Sequence, residues 1–340
     1  MNTLLQFIAG LAALIIIHEL GHFLVARLFK VEVEEFGIGF PPRATRLFKL
    51  GGTEFTLNWI PLGGFVRPKG ENDPSIPGGL AAANPWVRLA VLFAGPAMNL
   101  LAGVILAILL FYSLGDPVEN RVLIGHVDPG SPAELAGLQA NDLILAINGE
   151  PIDSIEKLQT TVEANLEKPT ELAYQRGDQQ AVVVLTPRAN PPPNEGAIGI
   201  RLGHPTQPIG FGTAIARGSQ TVYDYVRGIL LLPVRILQGE ASPEEGRPVG
   251  FKGMYDIYQD IRSPLLFFMI ISISLGVFNL FPIPALDGGR ILLTMPEILL
   301  RRRIPPQYEN MIHLVGFTLL LILIIYINIQ DFINPFQMPR

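Results

Sequence analysis

Residues 18–22 read His-Glu-Leu-Gly-His, inside an apolar run that covers residues 3–29. On a helix this spacing puts two imidazoles at i and i+4, on one face, about 6 Å apart. Such a pair suits two ligands of one tetrahedral zinc ion. Glu19, between His18 and His22, projects about 100° around the helix from its neighbour. It is therefore a candidate base for an attacking water rather than a ligand. Three ionisable groups are costly in an apolar helix, so they mark a functional site. The chemistry they suggest is hydrolysis at a metal held within a bilayer.

Two histidines do not complete a catalytic zinc site, which takes three protein ligands and an open position. The chain has no cysteine, and its other three histidines, His126, His204 and His313, have no motif around them. The best third ligand is Asp287, in the stretch Phe278-Asn279-Leu280-Phe281-Pro282-Ile283-Pro284-Ala285-Leu286-Asp287-Gly288-Gly289-Arg290. Pro282 and Pro284 break a helix. Irregular backbone at membrane depth is tolerated only where protein or a water-filled cavity covers it. Gly288 and Gly289 permit close backbone approach beside the carboxylate.

Elements that can position such a site are visible in the composition. Of 340 residues, 49% are hydrophobic and only 16% are charged, against about 25% charged in soluble domains. A span needs about 20 apolar residues. Residues 3–29, 89–114, 264–281 and 311–329 qualify or come close, the third being short and ending in prolines. The first run is longer than the core of a signal peptide and carries the candidate site, so it is not read as removable. The net charge of −5 gives no support for nucleic-acid binding.

Loop charges orient the bundle. Residues 27–88 hold eight Lys/Arg and residues 290–310 hold four, including Arg301, Arg302 and Arg303. Residues 115–262 hold twelve Lys/Arg against nineteen Asp/Glu. The positive-inside rule places the first two stretches in the cytoplasm, and the acidic middle and both termini outside.

The middle region has strand-like runs at residues 122–127, 143–147, 170–174 and 181–185. Between the first two, Pro129-Gly130 makes a turn, Ser131 can cap a short helix with Pro132 at its first position, and Gly137 ends it. Asn148-Gly149 signals a tight turn, and a second helix fits residues 154–165. The phrase SPAELAGLQANDLILAINGEPI resembles a PDZ domain of the bacterial, circularly permuted kind. That resemblance implies binding of extended peptides at a sheet edge; the plainer alternative is a small α+β domain with no ligand. Asn190-Pro191-Pro192-Pro193-Asn194 reads as a stiff linker. Residues 209–237 carry apolar side chains at near-helical spacing with Arg217, Asp224 and Arg227 among them. They fit an amphipathic helix, either on the outer membrane face or packed on the middle domain.

Taken together, HELGH and FNLFPIPALDGG resemble the site-2 protease family of intramembrane zinc metalloproteases. NPWVRLAVLFAGPAMNLLAG is similar to that family's Gly-Pro-x-x-Asn helix, here Gly95, Pro96 and Asn99. EFTLNWIPLGGFVRP is similar to its cytoplasmic re-entrant hairpin, and the inserted PDZ-like region suits the bacterial regulators of membrane proteolysis. The resemblance implies zinc held by His18, His22 and Asp287, with Glu19 as base. It also implies that Asn279 contacts substrate or the reacting carbonyl. Two departures stand out: one PDZ domain where some relatives have two, and Arg247 in place of the first glycine of a Gly-Pro-Val-Gly stretch.

The fold expected is a polytopic α-helical membrane protein of about four spans, with a re-entrant β-hairpin and an inserted α+β PDZ domain. Its parts are residues 1–115 (spans one and two with the hairpin), 116–190 (PDZ), 191–262 (linker and surface helix) and 263–340 (spans three and four). The function expected is zinc-dependent cleavage of single-span membrane proteins, of the anti-sigma-factor or remnant-signal-peptide type, in the inner membrane. Because a transmembrane helix hides its peptide bonds, the substrate must unwind, and a strand edge at 36–40 or 54–57 could hold it extended. The alternative is a membrane-tethered PDZ scaffold with a structural zinc. Asn99 is read as a helix-packing residue, and His313 as an interface residue without a catalytic part.

Overall fold

The computed structural model describes residues 3–192, 195–241, 245–261 and 263–335. Two residues of the expected proline linker, Pro193 and Asn194, lie outside them. In chain order the elements are α1 (Thr3–Leu28), β1 (Val33–Leu50), β2 (Thr53–Pro68), α2 (Pro85–Leu114), β3 (Asp116–Pro117), β4 (Val122–Val127), α3 (Pro132–Leu135), β5 (Leu143–Ile147), β6 (Glu150–Pro151) and α4 (Ile155–Glu163). There follow β7 (Thr170–Arg176), β8 (Gln179–Leu185), β9 (Ile200–Gly203), β10 (Thr206–Gln207), α5 (Phe211–Gln238), α6 (Phe251–Asp260), α7 (Pro264–Asn279), α8 (Asp287–Leu300) and α9 (Pro306–Ile333). These residues form two compact units, one made by Phe111–Ala214 and the other by the stretches on either side.

In the flanking unit, α1, α2 and α9 are long and apolar enough to cross a membrane, while α7 has only 16 residues. At 1.5 Å per residue α7 is about 24 Å long, short of a hydrocarbon core of about 30 Å. Without a hydrophobic drive between helices in lipid, close approach depends on small residues. Gly21 brings α1 onto α2: a Cβ there would stand 2.3 Å from the Ala94 carbonyl oxygen. Gly103 does the same for α2 and α7, with Ile273 at 2.7 Å from the position of its missing Cβ.

Helix α5 packs on α2 and α7. Its Val222 joins Ala107 and Leu110 of α2 and Met269, Ile273 and Val277 of α7 in one cluster. A Cβ on Gly218 would lie 2.9 Å from the Ile108 backbone nitrogen. The other face of α5 is exposed and apolar, with Tyr223, Leu230 and Leu237 on it. Helix α6 starts after Arg247-Pro248-Val249-Gly250, and its free N–H groups are capped by another helix. The Asp331 carboxylate of α9 accepts from Gly250 and Gly253 at 2.8 and 3.0 Å. Arg247 donates to the Asn334 carbonyl and lies 4.0 Å from Asp331, so the arginine in the glycine's place is an anchor on the end of α9.

Strands β1 and β2 each fold back, so that one hairpin makes four ribbons. Residues 35–38 pair on one side with 54–57 and on the other with 64–67, and residues 43–50 complete the outer side of 53–58. Both edges expected from the sequence, 36–40 and 54–57, are therefore interior. The free edges are the 43–50 ribbon and the 60–68 ribbon. Phe23 of α1 packs edge-on against Phe36 and Phe55, at 5.7 and 5.6 Å between ring centres, which docks the hairpin on the helix. Glu35 sits buried in the hairpin, bridged to Thr56 at 2.7 Å, to Arg43 at 2.8 Å and to Arg67.

The middle unit holds an antiparallel sheet in the order β8-β7-β5-β4-β9. Its core joins Val122, Ile124, Ile144, Ile147 and Leu172 to Leu158 and Val162 of α4. The four predicted strands form, and Ser131 and Ser154 cap α3 and α4 by accepting from Glu134 and Lys157. The fifth strand, β9, comes from beyond the proline stretch, a region the sequence reading assigned to linker and surface helix.

Candidate metal centre

The H-E-L-G-H turn of α1 turns both imidazoles toward α2 and α8. His18 Nε2 lies 3.1 Å from His22 Nε2, and the two rings stand nearly perpendicular at 81°. Asp287 opens α8, and its Oδ2 is 3.1 Å from His18 Nε2 and 3.4 Å from His22 Nε2. The backbone that delivers it is compressed. A Cβ on Gly288 would stand 2.2 Å from the Phe281 carbonyl oxygen, and one on Gly289 would stand 2.3 Å from that of Ile283. Both glycines are thus required by the tight turn after the Pro282–Pro284 break. Ala285 takes φ +78° there, a strained conformation for a residue with a Cβ. Its N–H is tied to His313 Nδ1 at 3.1 Å. His313 braces the turn.

Proton placement decides what the cluster can hold. His22 Nδ1 is 2.7 Å from the Val91 carbonyl oxygen, which only accepts. That nitrogen therefore carries the proton, and neutral His22 presents a lone pair at Nε2. Asp287 Oδ2 is buried and has no hydrogen-bond donor of its own. His18, His22 and Asp287 each offer one ligand atom, all within 4.8 Å of one another. A tetrahedral zinc with bonds of about 2.0–2.1 Å separates its ligand atoms by about 3.3 Å. The observed separations of 3.1, 3.1 and 3.4 Å fit that size. Two imidazole nitrogens and a carboxylate oxygen converging at this spacing would hold a cation, and the donor set fits zinc.

Glu19 stays out of the ligand cluster, as its helical position requires. It faces the same cleft, where its Oε2 accepts from the Val66 N–H at 3.0 Å. Val66 is paired with Phe36 in the hairpin, yet its N–H points away from that partner, so the 60–68 ribbon shows its free edge to the cleft. Asn279 lines the cleft too, with its amide nitrogen donating to the Leu275 carbonyl at 2.9 Å. The cleft has a volume of about 450 Å³.

Two groups at the cleft were not singled out from the sequence, and a third has a contact the sequence did not show. Glu71 and Arg290 form an ion pair that lines the cleft. Burial pushes the Arg290 guanidinium down, but the Glu71 carboxylate outweighs it and holds it above its ordinary range. The signal was available for Arg290, which is three residues from Asp287 and so on the same helix face. Asn99, expected to pack helices, joins α2 to α1 and α7, and its amide meets His18 Nδ1 at 3.3 Å. Gly95 and Asn99, four apart on one face of an apolar helix, were the signal there.

The sequence profile of peptidase family M50 matches residues 6–323. A Clostridium perfringens protein provisionally named a zinc metalloprotease is 36% identical over 332 residues, covering 95% of this chain and 96% of its own. The zinc metalloprotease RasP of Geobacillus kaustophilus is 27% identical over 418 residues, covering 97% of this chain and 98% of its own. Among solved structures, the PDZ domain of an SdrC-like protein from Listeria monocytogenes aligns with a TM-score of 0.23 at 23% identity, covering 26% of this chain and 92% of that domain.

Proposed function

This chain belongs to peptidase family M50, and on that premise we propose that it is a zinc-dependent endopeptidase of the site-2 protease type. Its substrates are single-span membrane proteins, cut within or beside their spans. The observation that carries the reading is the convergence of three ligand atoms, from His18, His22 and Asp287, beside a carboxylate that is not one of them.

Held by His18, His22 and Asp287, zinc would supply Lewis acidity for activating water near neutral pH and for polarising a carbonyl. Glu19 takes the proton of the attacking water and returns one to the leaving amine. Asn279 steadies the reacting carbonyl with the amide N–H that its Leu275 bond leaves free. The free edge at residues 64–67 holds the unwound substrate extended, with the Val66 N–H beside Glu19. This edge replaces the ones expected from sequence.

The membrane disposition belongs to the same proposal. Helix α7 is the third of four spans, its shortness compensated by the broken segment 280–286. The hairpin re-enters the membrane from the cytoplasm; Trp59 is 71% exposed, with Phe40, Leu57 and Ile60 also bare, a poor surface for water. The loops at 27–88 and 290–310 face the cytoplasm of the inner membrane, and the PDZ-like domain lies outside, where it screens substrates. The domain division expected from sequence is retained, with β9 added to the PDZ-like part.

The test is cleavage of a model single-span substrate in detergent. Wild type should cut it, and a zinc chelator should stop it. Glu19→Gln should keep its zinc, capture the substrate and lose at least about a thousandfold in turnover, because base catalysis and water activation fail together. Zinc-loaded wild type without turnover would favour the scaffold reading instead.

A further inference from the structure

We propose that Asn99 is a positioning residue of the metal centre: its side-chain oxygen accepts the His18 Nδ1–H and thereby aims the His18 Nε2 lone pair at the cation. The inference rests on the reading of His18, His22 and Asp287 as ligands.

Asn99 has no exposed surface. Its backbone carbonyl accepts from the Ser272 hydroxyl of α7 at 2.7 Å, so its place is fixed from two helices. Its amide nitrogen stands 3.3 Å from His18 Nδ1, while its Oδ1 is buried without a partner. In that orientation the amide donates to Nδ1 and drives the imidazole proton to Nε2. Nε2 is the atom that faces both His22 Nε2 and Asp287 Oδ2 at 3.1 Å. A proton there blocks any cation.

Oxygen and nitrogen of an amide side chain are assigned from the hydrogen-bond network. Turning the Asn99 amide half a revolution puts the oxygen opposite Nδ1. No donor reaches the present Oδ1, so that oxygen gives up no bond in the exchange. His18 then matches His22, whose Nδ1 already donates to the Val91 carbonyl. Ligating histidines ordinarily give their second N–H to such a carbonyl or carboxylate partner.

The helix between these two acceptors is shaped for the task. A Cβ on Gly95 would stand 2.3 Å from His22 Nε2 and 2.7 Å from His18 Nε2, so the imidazoles lie on bare backbone. One face of α2 thus supplies the Val91 carbonyl, the Gly95 space and the Asn99 amide. This assigns the polar residue of Gly95-Pro96-x-x-Asn99 to the outer shell of the metal site.

The test measures zinc affinity of the full chain in detergent by competition with a chromogenic chelator. Asn99→Leu keeps the volume and removes the acceptor, and should weaken zinc about 10–100-fold. Asn99→Asp restores an acceptor and should bind within a few-fold of wild type. Nitrogen-15 spectra of zinc-loaded wild type, with labelled histidine, should show both ligand imidazoles protonated at Nδ1, which needs no variant to fold. Asn99→Leu with wild-type affinity overturns the proposal. So does Asn99→Asp as weak as Asn99→Leu, since shape rather than the acceptor then matters, and so does His18 protonated at Nε2 in the loaded protein. If His18→Ala loses zinc while Asn99→Leu keeps it, only this inference falls. If His18→Ala keeps wild-type affinity, the ligand reading falls and takes this inference with it.

Discussion

Gly95→Ala adds one methyl group and should disable the metal centre. The new Cβ would stand 2.3 Å from His22 Nε2, 2.6 Å from His22 Cε1 and 2.7 Å from His18 Nε2. An ordinary carbon–nitrogen contact is at least about 3.5 Å, so the imidazoles must retreat by about 1 Å. Metal sites tolerate errors of about 0.2 Å in ligand position. A displacement five times that size removes at least one ligand from bonding distance, and misplacements of about 1 Å cost on the order of a hundredfold even where binding survives. The backbone itself has no reason to object: Ala is favoured over Gly inside a helix by about 1 kcal/mol. The metal-free protein, whose imidazoles are free to swing, should therefore melt at or above the wild-type temperature. Gly103→Ala is the control. Its Cβ would also meet an atom at 2.7 Å, but that atom belongs to Ile273. Overpacking there should cost about 1–3 kcal/mol of stability and leave zinc in place. The assay is zinc per chain, together with metal-free melting and substrate cleavage. Full zinc and wild-type turnover in Gly95→Ala would refute the placement of α2 against the two imidazoles.

Three further outcomes are expected. Val66→Pro removes the N–H on the free edge, a position where proline is tolerated; it should keep zinc and lower kcat/KM for a membrane substrate at least about tenfold, the equivalent of one charge-assisted hydrogen bond. Equal kcat/KM in the two proteins would exclude a role for the Val66 N–H in holding Glu19 for catalysis. Glu150→Cys should label only from outside the cytoplasm, a clean measurement because the native chain has no thiols; labelling only from inside reverses the topology. Burial pushes the Glu35 carboxyl up, but the Thr56 hydroxyl and the Arg43 and Arg67 guanidiniums outweigh it and hold it below the usual range. Its contribution to hairpin stability is then complete above the ordinary carboxylate range and lost as pH falls below it. Trp59 fluorescence in a Trp86→Phe background should report that acid loosening, and Glu35→Gln should remove it.

The local code was legible because its physics is local. His18 and His22 share a helix face by the geometry of one turn, and nothing distant is needed to know it. Strand alternation, the Ser131 and Ser154 caps and the Asn148-Gly149 turn are likewise decided within a few residues; both turn residues take positive φ as the dipeptide demands. Pro282 and Pro284 ended a helix where sequence said one must end. Asp287 was found because few other ligand types exist in the chain and two glycines beside it announced a tight backbone.

Tertiary packing decided what sequence left open. The hairpin folds each of its strands back, which buries 36–40 and 54–57 and leaves 60–68 as the edge facing Glu19; alternation cannot reveal which ribbon ends outermost, since interior and edge ribbons read alike. Helix α5 found its partners on α2 and α7 because the fit of Gly218 against a backbone is a property of two surfaces. Asn99 became a neighbour of His18 across 81 residues, and Arg290 of Glu71 across 219. Within its own helix Asn99 is only a polar residue in an apolar span. Its partner is chosen by how closely Gly21 and Gly95 let two helices approach, and that distance exists only once both are packed.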